Sequence, residues 1–198
     1  MTLDTDISDA ELIGQSLVDP ELFTAIFDRH SGEILRYVHA RLGPDLAEDV
    51  TAETFLAAFR ARGRFDPAIT SARPWLYGIA VRQIGKHHRA EARRVRLLRS
   101  APVDRPEEDF GDRSADRVTA GQLGPRLATI LGQLPGKDRE LLLLIAWAGL
   151  SYDEAATALG TTVSAVKARL HRVRVRTRQE LGGSNPMGVN SKGQSSDG

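Results

Sequence analysis

The chain of 198 residues has no cysteine, so disulfides, thiol catalysis and cysteine-based zinc sites are all excluded. It also lacks any apolar run near the roughly 20 residues that cross a bilayer. The longest run, residues 141–148, has the length of a buried helix, and no membrane insertion is expected. Residues 1–9 are acidic, without the basic and apolar regions of a signal peptide, so a cytoplasmic location is expected. There is no Gly-rich phosphate loop, and no Ser/His/Asp or Cys/His set. His87, His88 and Glu91 are the only candidates for a metal enzyme. His87 and Glu91 are four apart and can share a helix face, but arginines surround them and make a poor cation site. Ordinary surface histidines are the better reading: the chain is expected not to be an enzyme and to need no cofactor or metal. Strand patterns are almost absent too, which leaves an all-α fold.

What is present is apolar content of 41% and charged content of 27%, suited to a folded protein. The net charge of +1 hides a block arrangement. Residues 1–54 carry 3 basic and 12 acidic side chains, and residues 55–100 carry 11 and 2. Residues 101–160 carry 6 basic and 10 acidic, and residues 161–198 carry 7 and 2. Contact with a polyanion should therefore be local, at two separate places.

The apolar spacing predicts two small helical domains. A helix opens at Asp19-Pro20-Glu21, with a cap, a first-turn proline and a first-turn acid. Its stripe is Leu22, Phe23, Ile26, Phe27, Ile34, Leu35 and Val38, ended by Gly43-Pro44. A second helix is expected over about 45–60, with Val50, Phe55 and Phe59 inward and Asp45, Glu48, Asp49 and Glu53 outward. Residues 63–71 read as a loop, and a long helix follows over about 72–98. This gives a tail at 1–16, a first domain at 17–98, a linker at 99–122, a second domain at 123–182 and a disordered tail at 183–198. The second domain starts near Pro125 and continues with helices at about 137–148, 152–159 and 163–181. The polar, Pro- and Gly-containing linker is flexible by composition and predicts that the two domains move independently.

Three segments carry chemistry. Ser151-Tyr-Asp-Glu154 is a capping box, Leu159-Gly160-Thr161 a tight turn, and Thr162 a second cap. Beyond it Val163, Val166, Leu170 and Val173 form a narrow apolar stripe. Ser164, Lys167, Ala168, His171 and Arg172 lie opposite, with Arg169, Arg174 and Arg176 around them. Such a pair of helices is a helix-turn-helix reader, whose small Ser164 and Ala168 allow approach to base edges. No acid stands between Glu154 and Glu180, which argues against a merely solvated face. On the long helix, Arg82, Lys86, Arg89, Arg93 and Arg96 share one face and can follow a phosphate backbone. Trp75 and Tyr77 lie nearby and can stack on unpaired bases, although a core role suits Trp75 better. The acidic outer face of the second helix suits a basic protein partner, or simple solvation.

The motif Ala47-Glu-Asp-Val-Thr-Ala-Glu-Thr-Phe-Leu-Ala-Ala-Phe59, with Arg73-Pro-Trp-Leu-Tyr-Gly-Ile-Ala80, resembles region 2 of extracytoplasmic-function (ECF) sigma factors of the sigma-70 family. Leu134-Pro, Arg139-Glu140, Gly149-Leu-Ser-Tyr152 and Val166-Lys-Ala-Arg-Leu-His-Arg172 resemble region 4. The resemblance implies a sigma factor that binds RNA polymerase core and directs it to promoter DNA. Asp45, Glu48, Asp49, Glu53, Phe55 and Leu56 would dock on the clamp helices of the largest subunit, and the second domain on the flap. Arg64, Phe65, Trp75, Arg82, Gln83, Lys86, Arg89, Arg93 and Arg96 would open the −10 element. Thr162, Ser164, Lys167, Ala168, Arg169, His171, Arg172, Arg174 and Arg176 would read the −35 element. An anti-sigma factor is a further candidate partner. Arg82-Gln83 stands where Asn is common in the family, and Ala165 and Ala168 where small hydroxyl residues are common, which bears on promoter sequence. The rival is a helix-turn-helix regulator of the response type. It would need a receiver domain of strands and helices, which residues 1–100 do not suggest.

Overall fold

The structure, a computed structural model, describes residues 7–98 and 133–180. Among them all regular structure is helical, and no helix is long and apolar enough to cross a membrane. The expected linker, the start of the second domain at Pro125 and the tail at 183–198 lie outside the described residues.

Helix α1 (Asp9–Gln15) lies within the segment expected to be a tail. A complete capping box starts it: the Glu11 N–H donates to Ser8 Oγ at 3.3 Å, and the Ser8 N–H to the Glu11 carboxylate at 2.9 Å. Leu12 and Ile13 anchor it in the core. Asp19 caps as expected, accepting from the Glu21 N–H at 3.2 Å, but the turn it opens is a 3₁₀ turn (Pro20–Phe23). The α-helix proper, α2 (Thr24–Leu42), follows. Its inward face is Ile26, Ile34, Tyr37 and Val38, whereas Phe27 and Leu35 are 43% and 36% exposed and so stand at the edge of the expected stripe.

Helix α3 (Pro44–Ala61) packs along α2 and buries Val50, Phe55 and Ala58. Helix α4 (Arg73–Leu98) crosses both, with Leu76, Tyr77, Ile79, Ala80 and Ile84 inside. The second unit comprises α5 (Gly136–Ala146), α6 (Tyr152–Leu159) and α7 (Val163–Glu180). Leu141, Leu144, Leu150, Ala155 and Val166 form its centre.

The two units form one packed body. Their buried residues belong to a single apolar cluster, and α6 lies against α4. The closest approach is at Gly78: a Cβ there would sit 2.6 Å from the Ala158 carbonyl oxygen, so only glycine fits. Independent movement, expected from the linker's composition, does not describe this arrangement. The reason is an apolar and polar seam whose residues are scattered over both units and carry no local pattern.

Candidate nucleic-acid and partner interfaces

The helix-turn-helix geometry follows from its caps. Ser151 Oγ accepts from the Glu154 N–H at 3.1 Å, and the Glu154 carboxylate accepts from the Ser151 N–H at 2.7 Å. Gly160 ends α6 in the left-handed region at φ 58°, which a glycine adopts without strain. Thr162 Oγ1 then accepts from the Ala165 N–H at 3.1 Å and starts α7. Val166, Leu170 and Val173 are buried beneath α7. Thr162, Ser164, Lys167, Ala168, His171, Arg172, Arg174 and Arg176 are exposed on it. Arg169 departs from the expected set: its Nε lies 3.3 Å from Asp138 Oδ1, which turns it toward α5. Arg174 also reaches back, donating to the Tyr152 hydroxyl at 3.4 Å.

On α4 the basic stripe is as spaced: Arg82, Lys86, Arg89, Arg93 and Arg96 are all exposed. Gln83 is 7% exposed and belongs to the inner face, so it does not offer itself to DNA here. Its spacing of seven from Leu76 and four from Ile79 already places it there. Arg64 is exposed, but Phe65 is buried and meets Trp75 edge to face at 5.1 Å between ring centroids. That pair pins the 63–71 loop onto α4, and the half-buried Trp75 is in large part a core residue.

On α3, Asp45, Glu48, Asp49 and Glu53 are exposed and Leu56 is 48% exposed. Phe55 faces inward and packs edge to face on Phe27 at 4.9 Å. Glu53 is tied to α4 by a 3.1 Å hydrogen bond with His87 Nε2. Beside the acidic row, Pro20, Phe23, Phe27, Leu56 and Phe59 line an apolar groove of about 340 Å³. The sequence pattern assigned Phe27 to the core and so missed this groove.

Two buried polar clusters were also not read from the sequence. In the first, Asp9 accepts from His30 at 2.7 Å, from the Ala72 N–H at 2.8 Å and from Arg29 at 3.1 Å. Burial opposes ionisation of Asp9, but these donors outweigh it and bring its pKa down to about 2. His30 is partly buried, which opposes its charged form, yet its bonds to Asp9 and Glu33 raise its pKa to about 9. Arg73 extends the cluster, with Nε 2.8 Å from Glu33 and Nη1 3.3 Å from Glu154 of α6. In the second cluster the buried Glu140 of α5 accepts from the Tyr37 hydroxyl and, at 2.7 Å, from Arg41 of α2. Burial first, then the Glu140 charge, drives the Tyr37 pKa well up and keeps its hydroxyl a donor. Of their members, Arg73 and Glu140 had stood out in the sequence as part of the family resemblance, and Glu154 as part of a capping box.

An all-α body with a helix-turn-helix and a second basic helix has the make-up of a DNA-recognition protein. Residues 26–94 match the family model for Sigma-70 region 2, and residues 125–176 that for Sigma-70, region 4. The sigma factor SigD of Mycobacterium tuberculosis (strain ATCC 25618 / H37Rv) is 33% identical over 161 residues, covering 75% of this chain and 71% of SigD. SigC of Mycobacterium tuberculosis (strain CDC 1551 / Oshkosh) is 37% identical over 147 residues, covering 72% and 74%. The chain belongs to the ECF RNA polymerase sigma factors, and it is a DNA-binding protein that directs transcription initiation. Among solved structures, CnrH in complex with the cytosolic domain of CnrY matches with a TM-score of 0.60 at 25% identity, over 89% of this chain and 98% of CnrH. The sigma factor RpoE, in complex with the anti-sigma factor NepR from Bartonella quintana, shares the fold with a TM-score of 0.57 at 20% identity, over 81% and 96%. A region 2 match occupies the place where a response-type regulator would carry its receiver, so that rival is not favoured.

Proposed function

We propose that this sigma factor acts in the cytoplasm, binds RNA polymerase core through α3, and reads two promoter elements with two different helices. The −35 element falls to α7, and the −10 element to α4 with the 63–71 loop. The observation that carries this reading is the exposure of both basic faces. Lys167, His171 and Arg172 point out from a helix held by caps at both ends of its turn, and the α4 stripe is exposed along its length. Side chains at that spacing on a capped recognition helix suit base edges in a major groove. The α4 stripe suits phosphates and a separated strand. For core binding, the acidic row of α3 stands beside an apolar groove that an amphipathic partner helix could fill. The flap is the docking site assigned to the second unit. Likeness to CnrH, seen with the cytosolic domain of CnrY, supports a further protein partner, for which an anti-sigma factor is the candidate.

Run-off transcription with purified core polymerase on a random promoter pool tests the assignment. One enriched motif with two spaced elements is expected. Transcription that needs no such motif, or none at all, overturns it.

A further inference from the structure

Helix α1 holds both feet of the loop that joins α3 to α4. At the far foot, one oxygen of the buried Asp9 carboxylate accepts from the Ala72 N–H at 2.8 Å. At the near foot, the carbonyl of Ser16, which ends α1, accepts from Arg62 Nε at 3.3 Å. Arg62 Nη1 also donates to the Phe59 carbonyl at 2.6 Å, so this foot is tied to the end of α3 as well. The 7 residues of α1 stand between the two attachments as a rigid span of about 10 Å.

The sequence at the start of α4 explains why the far foot needs a group from elsewhere. Ala72 opens the helix, since its carbonyl accepts from the Leu76 N–H at 2.9 Å. Its own side chain cannot cap, and a capping box would need Glu or Gln three residues on, where Trp75 stands. Ala72 is fully buried, so water does not satisfy its N–H either. Asp9 supplies the missing acceptor from 63 positions away. Asp9 is itself fixed: His30 donates to the same oxygen at 2.7 Å, and Arg29 to the other at 3.1 Å. His30 in turn bonds Glu33, which accepts from Arg73, the next residue of α4, at 2.8 Å. The far foot is thus held from α1 and from α2.

Between its feet the loop is pinned inside by the Phe65–Trp75 pair and turned at its tip by Asp66. The Asp66 side chain accepts from the Ala68 N–H at 3.0 Å, and its carbonyl from the Ile69 N–H at 3.0 Å. Arg64, Pro67, Ala68 and Thr70 are exposed. A loop that reads bases must present its groups to within about 0.5 Å, and that precision comes from what supports it behind. We infer that α1 is a brace for this loop, and that Asp9 is a positioning residue for −10 recognition, acting through Ala72 without itself meeting DNA. The inference rests on the assignment of the loop to the −10 element given above.

The test uses variants of the full chain: Asp9→Ala at the far foot, Arg62→Met at the near foot, and Val38→Ala in the α2 core as a control for lost stability alone. Hydrogen exchange needs no DNA. Asp9→Ala should speed exchange over residues 62–72 by at least about tenfold beyond the Val38→Ala control, and leave residues 163–173 unchanged. Loop exchange no faster than in the control overturns the brace, whatever transcription shows. Holoenzyme assembled with core polymerase is then assayed on the selected promoter and on its single-base variants in both elements. With Asp9→Ala, discrimination at one or two −10 positions should fall at least about threefold, while −35 discrimination stays within about twofold. Arg62→Met should act at the same −10 positions, and it carries both readouts should Asp9→Ala fail to fold. Val38→Ala should lower activity on all templates alike, because a merely structural loss has no base preference. An Asp9→Ala profile like that of Val38→Ala overturns the positioning role. Arg64→Ala on the same templates then locates the failure: a −10 effect there leaves the loop assignment standing and removes the brace alone, and no effect removes both.

Discussion

Arg41 and Glu140 lie 99 positions apart in the chain, yet their side chains meet at 2.7 Å in the interior, one from each unit. The Tyr37 hydroxyl completes the group, and its ring stands edge to face with Tyr77 at 5.1 Å. Removing one member of such a pair strands the other. Arg41→Met should therefore cost about 3 kcal/mol in urea unfolding, because it leaves Glu140 buried without its cation. Tyr37→Phe should cost about 1 kcal/mol, since Glu140 keeps Arg41. Arg41→Met with Glu140→Met should recover much of the larger loss. A double variant whose loss equals the sum of the two single losses would show that the pair is not coupled.

The Asp9–His30 pair predicts a pH window for stability. Asp9 has its pKa lowered from 3.8 to about 2, so its contribution is present above 3.8 and fades as pH falls through 2. His30 has its pKa raised from 6.5 to about 9, so its contribution is full below 6.5 and is lost as pH rises through 9. The pair should support the fold most between about pH 4 and 6.5 and lose on the order of 2–3 kcal/mol by pH 9. His30→Gln should flatten the wild-type decline between pH 6.5 and 9 in thermal unfolding. An unchanged slope in that variant would place the pH dependence elsewhere.

Asp49→Arg should weaken binding to core polymerase and reduce its salt dependence, with the fold intact, because Asp49 is exposed on α3. Glu53→Arg should weaken it as well, but should also loosen α3 from α4 through the lost His87 bond. Leu56→Asp tests the adjoining apolar groove and should weaken binding with little change in salt dependence. Normal pull-down of core by all three variants would move the docking face off α3.

The legible parts of this fold were those with local causes. Ser151, Glu154, Gly160 and Thr162 each act within four residues, and the helix-turn-helix they delimit stands as read. The α4 stripe was legible for the same reason, since spacings of three and four along one helix need no tertiary knowledge. What sequence pattern missed depends on distant partners. Arg139-Glu140 carries no mark that Tyr37 and Arg41 will meet it, and a glycine inside a helix, as at Gly78, reads as a weak point rather than a contact. The Ser8–Glu11 box that starts α1 was visible in principle, but the acidity of residues 1–9 drew the reading toward a tail. Phe27 was drawn into an apolar stripe that was too wide and is 43% exposed, whereas Gln83 was named through the family resemblance although its spacing from Leu76 and Ile79 puts it on the inner face.

The two basic helices should respond differently to the same kind of substitution. On α7, Lys167 and Arg172 are exposed opposite the buried Val166, Leu170 and Val173, so alanine at either should cost roughly 1–3 kcal/mol and relax preference at one or two upstream base pairs. Arg169 makes an internal control, because its bond to Asp138 points it away from that face. Arg169→Ala should lower thermal stability and leave base preference unchanged. On α4, alanine at Arg89 or Arg93 should weaken binding evenly across promoters and flatten the salt dependence by about one unit per lost phosphate contact. The same variants should slow strand opening, read by permanganate reactivity, and the defect should shrink on a pre-melted template. A change of base preference from Arg93→Ala, with a uniform loss from Arg172→Ala, would exchange the roles of the two helices. Retained discrimination in both variants would instead place sequence reading on neither stripe and leave it to the deformability of the DNA.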